Sequence, residues 1–101
     1  MSELIYFRVS GRVQGVCYRA STQQRAFELQ LTGWVRNCRN GDVEGVAGGS
    51  ELSLKQFQGW LAKGPEFAVV SKLECRSICQ NDKDFFRLAG DLPADFQIHY
   101  S

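Results

Sequence analysis

The stretch Thr32-Gly33-Trp34-Val35-Arg36-Asn37-Cys38-Arg39-Asn40-Gly41-Asp42-Val43-Glu44-Gly45-Val46-Ala47-Gly48 decides the fold. It holds two strand-like runs, Thr32 to Arg39 and Val43 to Gly48, around Asn40-Gly41-Asp42. Asn-Gly between such runs signals a hairpin, because a type I′ turn needs positive φ at both central positions. The two strands therefore follow one another directly, with no helix between them.

Working outward toward the N-terminus, Arg19 to Gln30 reads as a helix. Ala20, Phe27 and Leu31 fall near one face, Leu29 lies opposite, and Gln23, Gln24, Arg25 and Glu28 suit a solvated surface. Leu31-Thr32-Gly33 ends it. Before it, Leu4 to Val9 reads as a strand, with Ile5, Phe7 and Val9 alternating against Tyr6 and Arg8. The loop between them, Gly11 to Tyr18, is longer than the roughly 2–6 residues usual for a strand-to-helix connection.

Toward the C-terminus, Gly48-Gly49 breaks the second hairpin strand and Ser50 caps a helix over Glu51 to Lys63. Leu54, Phe57 and Leu61 give that helix an inner stripe, and Gly64-Pro65 stops it. Phe67 to Cys79 reads as a long strand, with Val69, Leu73, Cys75 and Cys79 on one parity and Lys72, Glu74 and Arg76 on the other. Gln80 to Asp84 is polar loop, and Phe85 to Leu88 is a short strand or a packing segment. Asp91 to Asp95 is loop again. Phe96, Ile98 and Tyr100 alternate in a last strand.

The order is βαββαβ with an extra C-terminal strand. Right-handed crossovers put two helices on one face of a mostly antiparallel sheet. This is an α+β chain, a ferredoxin-like α/β sandwich, with residues 1–101 forming a single domain. The scaffold hosts RNA binders, ligand sensors and enzymes alike, so function has to come from particular residues.

Twelve basic residues stand against eleven acidic ones, for a net charge of +1. That balance argues against a nucleic-acid partner. No apolar run approaches the ~20 residues of a membrane span. Met1-Ser2-Glu3 leads into a short run broken by Arg8, which is no secretory signal. We therefore expect a cytoplasmic monomer without a membrane partner. The four cysteines, Cys17, Cys38, Cys75 and Cys79, form no C-x-x-C pair, and the chain has one histidine, so no zinc site is legible. A reducing compartment leaves the thiols free, with Cys75 and Cys79 as small core residues.

The run Gly11-Arg12-Val13-Gln14-Gly15-Val16-Cys17-Tyr18-Arg19 contains no Pro and no acidic residue. Every position offers a backbone N–H, and two glycines let successive amides converge. The free amides and positive dipole end of the following helix add to them. Together these suit a phosphate-sized anion. No nucleotide P-loop, G-x-G-x-x-G or thiolate phosphatase loop is present. Asp82-Lys83-Asp84 reads as a solvated turn and His99 as a surface histidine. Arg19, at the junction of loop and helix, is either a guanidinium clamp on two phosphate oxygens or a surface Arg at a helix start. Asn37 is either a carboxamide that holds a water in line with phosphorus or an exposed polar strand residue.

The nine-residue run resembles the acylphosphatase signature, G-R-V-Q-G-V-x-[FY]-R, with Cys17 at its variable position. Gly33-Trp34-Val35-Arg36-Asn37 resembles that family's second motif. The likeness continues through Asn40-Gly41-Asp42-Val43-Glu44 and Trp60 with Gly64-Pro65, to about Val70. It implies a ferredoxin-like fold and hydrolysis of small acyl phosphates by a water, with no metal, cofactor or phosphoenzyme. It implies Arg19 as the phosphate-binding arginine, Asn37 as the water-orienting asparagine, and the amides of Gly15, Val16, Cys17, Tyr18 and Arg19 as the cradle. The alternative is a non-catalytic module that binds a small anion on the same scaffold.

Overall fold

The computed structural model describes residues 3–15, 17–78 and 95–99. Along the chain run β1 (Glu3–Arg12), α1 (Tyr18–Glu28), β2 (Thr32–Asn37), β3 (Val43–Gly49), α2 (Glu51–Lys63), β4 (Val69–Ser77) and β5 (Phe96–His99). The strands form one sheet in the order β4-β1-β3-β2-β5. The β1–β3, β1–β4 and β2–β3 pairings are antiparallel, and β5 joins β2 in parallel. The fold is the expected ferredoxin-like α+β sandwich. The expectations for Val16, Cys79, Gln80 to Asp84, Phe85 to Leu88, Tyr100 and most of the Asp91 to Asp95 loop lie outside the described residues. Among the described residues no helix is long and apolar enough to cross a membrane.

Alternation in β1 sends Ile5, Phe7 and Val9 to the helix-covered face, where they meet Leu54, Phe57 and Leu61 of α2. Phe57 sets its ring edge-on to Phe7 at 5.6 Å and to Phe96 at 5.8 Å. α2 spans the residues and buries the stripe that the sequence predicts.

α1 differs from its sequence reading. Its buried residues are Tyr18, Thr22 and Ala26, and Leu29 packs against the same core. Ala20 is exposed and Phe27 is 76% exposed, so Ala20, Phe27 and Leu31 do not form the packed stripe. Thr22 escapes a hydrophobicity reading because it is polar. Its hydroxyl donates to Tyr18 O at 2.7 Å, which removes the cost of burying it. The helix also stops early, at Glu28. The N–H groups of Gln30 and Leu31 bond back to Phe27 O and Ala26 O at 3.0 and 2.9 Å, with Gln30 at φ 58°. This is a Schellman stop with glutamine where glycine is usual.

The β2–β3 turn is not type I′. Gly41 has φ 98° while Asn40 keeps a negative φ. Gly41 N–H donates to Cys38 O at 3.3 Å and Cys38 N–H to Asp42 O at 2.7 Å. That is a three-residue loop closed by a left-handed glycine, so β2 ends at Asn37 rather than Arg39. Gly48-Gly49 does not break β3, whose pairing with β1 reaches Gly49.

β4 is shorter than predicted and changes parity. Ser10 faces Lys72 but Gly11 faces Val70, which leaves Ser71 as the extra residue of a bulge. The two backbones approach so closely there that a Cβ on Gly11 would stand 2.1 Å from Val69 O. The bulge turns Val70 inward with Leu73, and leaves Val69 61% exposed. Cys75 is exposed rather than a core residue, because β4 is an edge strand.

On the face away from the helices, Trp34, Val46 and Ile78 pack with Leu4 and Tyr6. Glu44, 8% exposed, accepts from Tyr6 Oη at 2.7 Å and from Arg36 Nε at 2.7 Å. Arg8 Nε donates to Asp42 Oδ2 at 2.8 Å. Burial alone would push the Glu44 carboxyl up, but the bonds from Tyr6 and Arg36 and two nearby guanidiniums bring it below the usual range. The Arg8 guanidinium holds Asp42 low as well. Burial, with the Glu44 bond second, pushes the Tyr6 phenol up to about 12.

Candidate functional site

β1 runs on through Arg12, so the loop to α1 begins at Val13 rather than Gly11. Val13 is buried and anchors the loop in the core. Gly15 and Cys17 take left-handed φ values of 74° and 61°. For cysteine that conformation costs on the order of 1–3 kcal/mol, a strain that persists only where the surroundings impose it. It lets α1 begin at Tyr18, one residue before the predicted start, with Ser21 N–H making the bond to Cys17 O at 2.9 Å. The N–H groups of the first turn precede that bond and point out of the helix end toward the loop.

Among the described residues no side chain caps this end, and the first turn holds no acidic residue. α2 is built the opposite way. Ser50 Oγ accepts from Ser53 N–H at 3.2 Å, and Glu51 sits in the first turn. At α1 a cation, Arg19, occupies the turn where a carboxylate would suit the helix dipole.

Tyr18 fixes the position of this end. Its buried hydroxyl donates to Leu61 O at 2.8 Å and its ring packs on Trp60 at 5.7 Å. Burial pushes the phenol well above its ordinary range, so it remains a neutral donor.

A cleft of about 310 Å³ opens between the loop, the first turn of α1, Asn37 at the end of β2 and Ile98 of β5. Every predicted site residue that the structure describes lines it: Gly15, Cys17, Tyr18, Arg19 and Asn37. Val16 lies outside the described residues. Asn37 Oδ1 is buried and has no hydrogen-bond partner among the described residues. An acceptor left in that state costs about 1–3 kcal/mol and invites a ligand or water.

A family model described as Acylphosphatase matches residues 5–88. The chain belongs to the acylphosphatase family. An acylphosphatase of Marinobacter nauticus is 56% identical over 70 residues, covering 69% of this chain and 76% of that one. A solved acylphosphatase of Coxiella burnetii superposes with a TM-score of 0.82 at 40% identity, covering 97% of this chain and 93% of that chain. That of Bacillus subtilis gives 0.81 at 30% identity, covering 99% and 100%.

Val13, Gln14, Ala20 and Ile98 also line this acylphosphatase-family cleft without having been predicted to. Ile98 was legible only as strand alternation; the parallel pairing of β5 with β2 brings it beside Asn37's strand. Gln14 stands within the motif without an obvious task. Its Nε2 donates to Cys38 O and to Asp42 O, both at 2.9 Å. A polar side chain inside a glycine-bearing loop was the only signal available. His99, by contrast, is no plain surface residue: it is half-buried and stacks on Trp34 at 5.3 Å. It belongs to the opposite face of the sheet from Ile98. The hairpin carboxylates Asp42 and Glu44 are held by Arg8 and Arg36. Among the described residues no group of three His, Cys, Asp or Glu is placed to hold a metal ion.

Proposed function

We propose that the chain hydrolyses small acyl phosphates to a carboxylate and inorganic phosphate. The observation that carries this is a single cleft shared by a bare helix N-terminus, a guanidinium and an orphaned carboxamide oxygen. Family membership supports the same reading.

In this scheme the phosphoryl oxygens accept hydrogen bonds from the amides of Gly15 to Arg19 and from the Arg19 side chain. Asn37 Oδ1 accepts a hydrogen bond from a water and holds it in line with phosphorus. The water oxygen bonds to phosphorus, the bond from phosphorus to the acyl oxygen breaks, and its electron pair leaves with the carboxylate. That leaving group is stable without a proton, so no general acid is needed. The water's proton passes to the phosphate itself. Such a transition state is loose, with charge spread over the equatorial oxygens, and fixed positive potential plus alignment supply most of the catalysis. The reading includes a one-step reaction without metal or phosphoenzyme, in a cytoplasmic single-domain monomer with no nucleic-acid partner.

Release of inorganic phosphate from benzoyl phosphate, with and without EDTA, tests it beside Arg19→Gln. The wild type is expected to turn over equally in chelator, and Arg19→Gln to lose at least ~10²–10³-fold in rate. Phosphate binding without turnover would leave only an anion-binding module. Activity lost in EDTA and restored by Mg²⁺ would overturn metal independence.

A further inference from the structure

The proposed site joins two parts that the sheet keeps apart. The cradle loop leaves β1, and Asn37 ends β2, but β3 lies between these strands. At this end of the sheet Val9 pairs with Val43, and Val43 with Asn37. The sheet fixes the spacing of the two strands at this end, but no backbone pairing joins the cradle loop itself to the end of β2.

Gln14 spans the gap. Its single amide nitrogen donates both protons, one to Cys38 O and one to Asp42 O, each at 2.9 Å. Those carbonyls stand at the mouth of the β2–β3 loop, and Cys38 directly follows Asn37. Asp42 O also accepts from Cys38 N–H at 2.7 Å. One side chain thus ties the loop to both arms of the hairpin.

We propose that Gln14 is a positioning residue that sets where the cradle holds phosphorus relative to the water aligned by Asn37. The inference rests on the function proposed above. Gln14 itself touches neither the water nor the anion in this role. Its donors are consumed by the hairpin, and its effect passes through Asn37. Misplacement by about 1 Å costs on the order of 10²-fold in rate, whereas each half of the site keeps its own groups.

The test is a double-mutant cycle on benzoyl phosphate turnover, with competitive inhibition by inorganic phosphate as a second readout. Gln14→Met keeps the side-chain length and removes both donors. It is expected to lower kcat by roughly 10–10²-fold while the phosphate inhibition constant stays within about threefold. On an Asn37→Ala background it should change kcat little, because the group it positions is gone. Gln14→Asn keeps the amide but is one methylene shorter, and should follow the same pattern; it carries the test if Gln14→Met fails to fold. Wild-type kcat in either variant overturns the inference, as does a loss that multiplies with that of Asn37→Ala. Asn37→Ala with wild-type kcat would remove the water-aligning role of Asn37 and this inference with it, whereas no turnover of benzoyl phosphate by the wild type would sink the proposed function itself.

Discussion

In the proposed scheme Arg19 and Asn37 divide the work of the cleft, and the division is measurable. Asn37→Ala is expected to lower kcat with little change in phosphate affinity, since in that scheme its oxygen holds the water and not the anion. A raised KM at constant kcat would contradict that. Arg19→Lys should recover only part of what Arg19→Gln loses, because an ammonium keeps the charge but not the planar fork. Steady-state turnover of the two Arg19 variants side by side checks this, and full rescue by Lys would mean that charge alone matters. Both residues could be singled out from the sequence because each sits badly in its element: a cation at the positive end of a helix, an asparagine in a strand. Gln14 could not, because nothing in a linear chain says that a loop glutamine reaches two carbonyls more than twenty residues away.

At the scale of elements, the features that were legible are those with local causes. Ser50, the stripe of α2 and its Gly64-Pro65 stop depend on neighbours within a turn, and the helix has the predicted bounds. The misread features depend on partners elsewhere. The α1 stripe turns on which face the sheet covers, which buries Thr22 and leaves Phe27 exposed. The parity of β4 turns on a bulge that exists only because β1 offers Gly11 opposite it. Gly11→Ala should therefore be strongly destabilising, by several kcal/mol in urea unfolding, since the added methyl meets strand backbone that cannot swing aside. A variant within about 0.5 kcal/mol of wild type would show that the bulge can relax. Ser50→Ala, which removes an exposed cap and nothing else, is expected to cost about 1 kcal/mol in the same measurement.

For the whole molecule, the polar cluster on the open sheet face links stability to pH in two windows. Asp42 and Glu44 have folded values below their ordinary ones. Their contribution is complete above the ordinary carboxylate range, roughly pH 4, and is lost as pH falls through the lowered folded values. Tyr6 runs the other way: its folded value is raised to about 12, so its contribution is complete below roughly pH 10 and is lost between there and about 12. Urea midpoints across pH should show both shoulders. Glu44→Gln should shrink the acid one, leaving the Asp42 share, and Tyr6→Phe the alkaline one, leaving the share of buried Tyr18; unchanged pH slopes would remove the cluster as a source.

The cleft gathers its walls from residues 13–15 and 17–20, from Asn37 and from Ile98, segments that meet only when the sheet is assembled. An ion held there is therefore a gauge of global folding, since neither the unfolded ensemble nor a fragment offers the same enclosure. Inorganic phosphate at a hundredfold its dissociation constant should raise the unfolding free energy by about 2.7 kcal/mol, and Arg19→Gln should erase that increment. The metabolite released by each turnover would thus also act as a thermodynamic brace for the protein that released it.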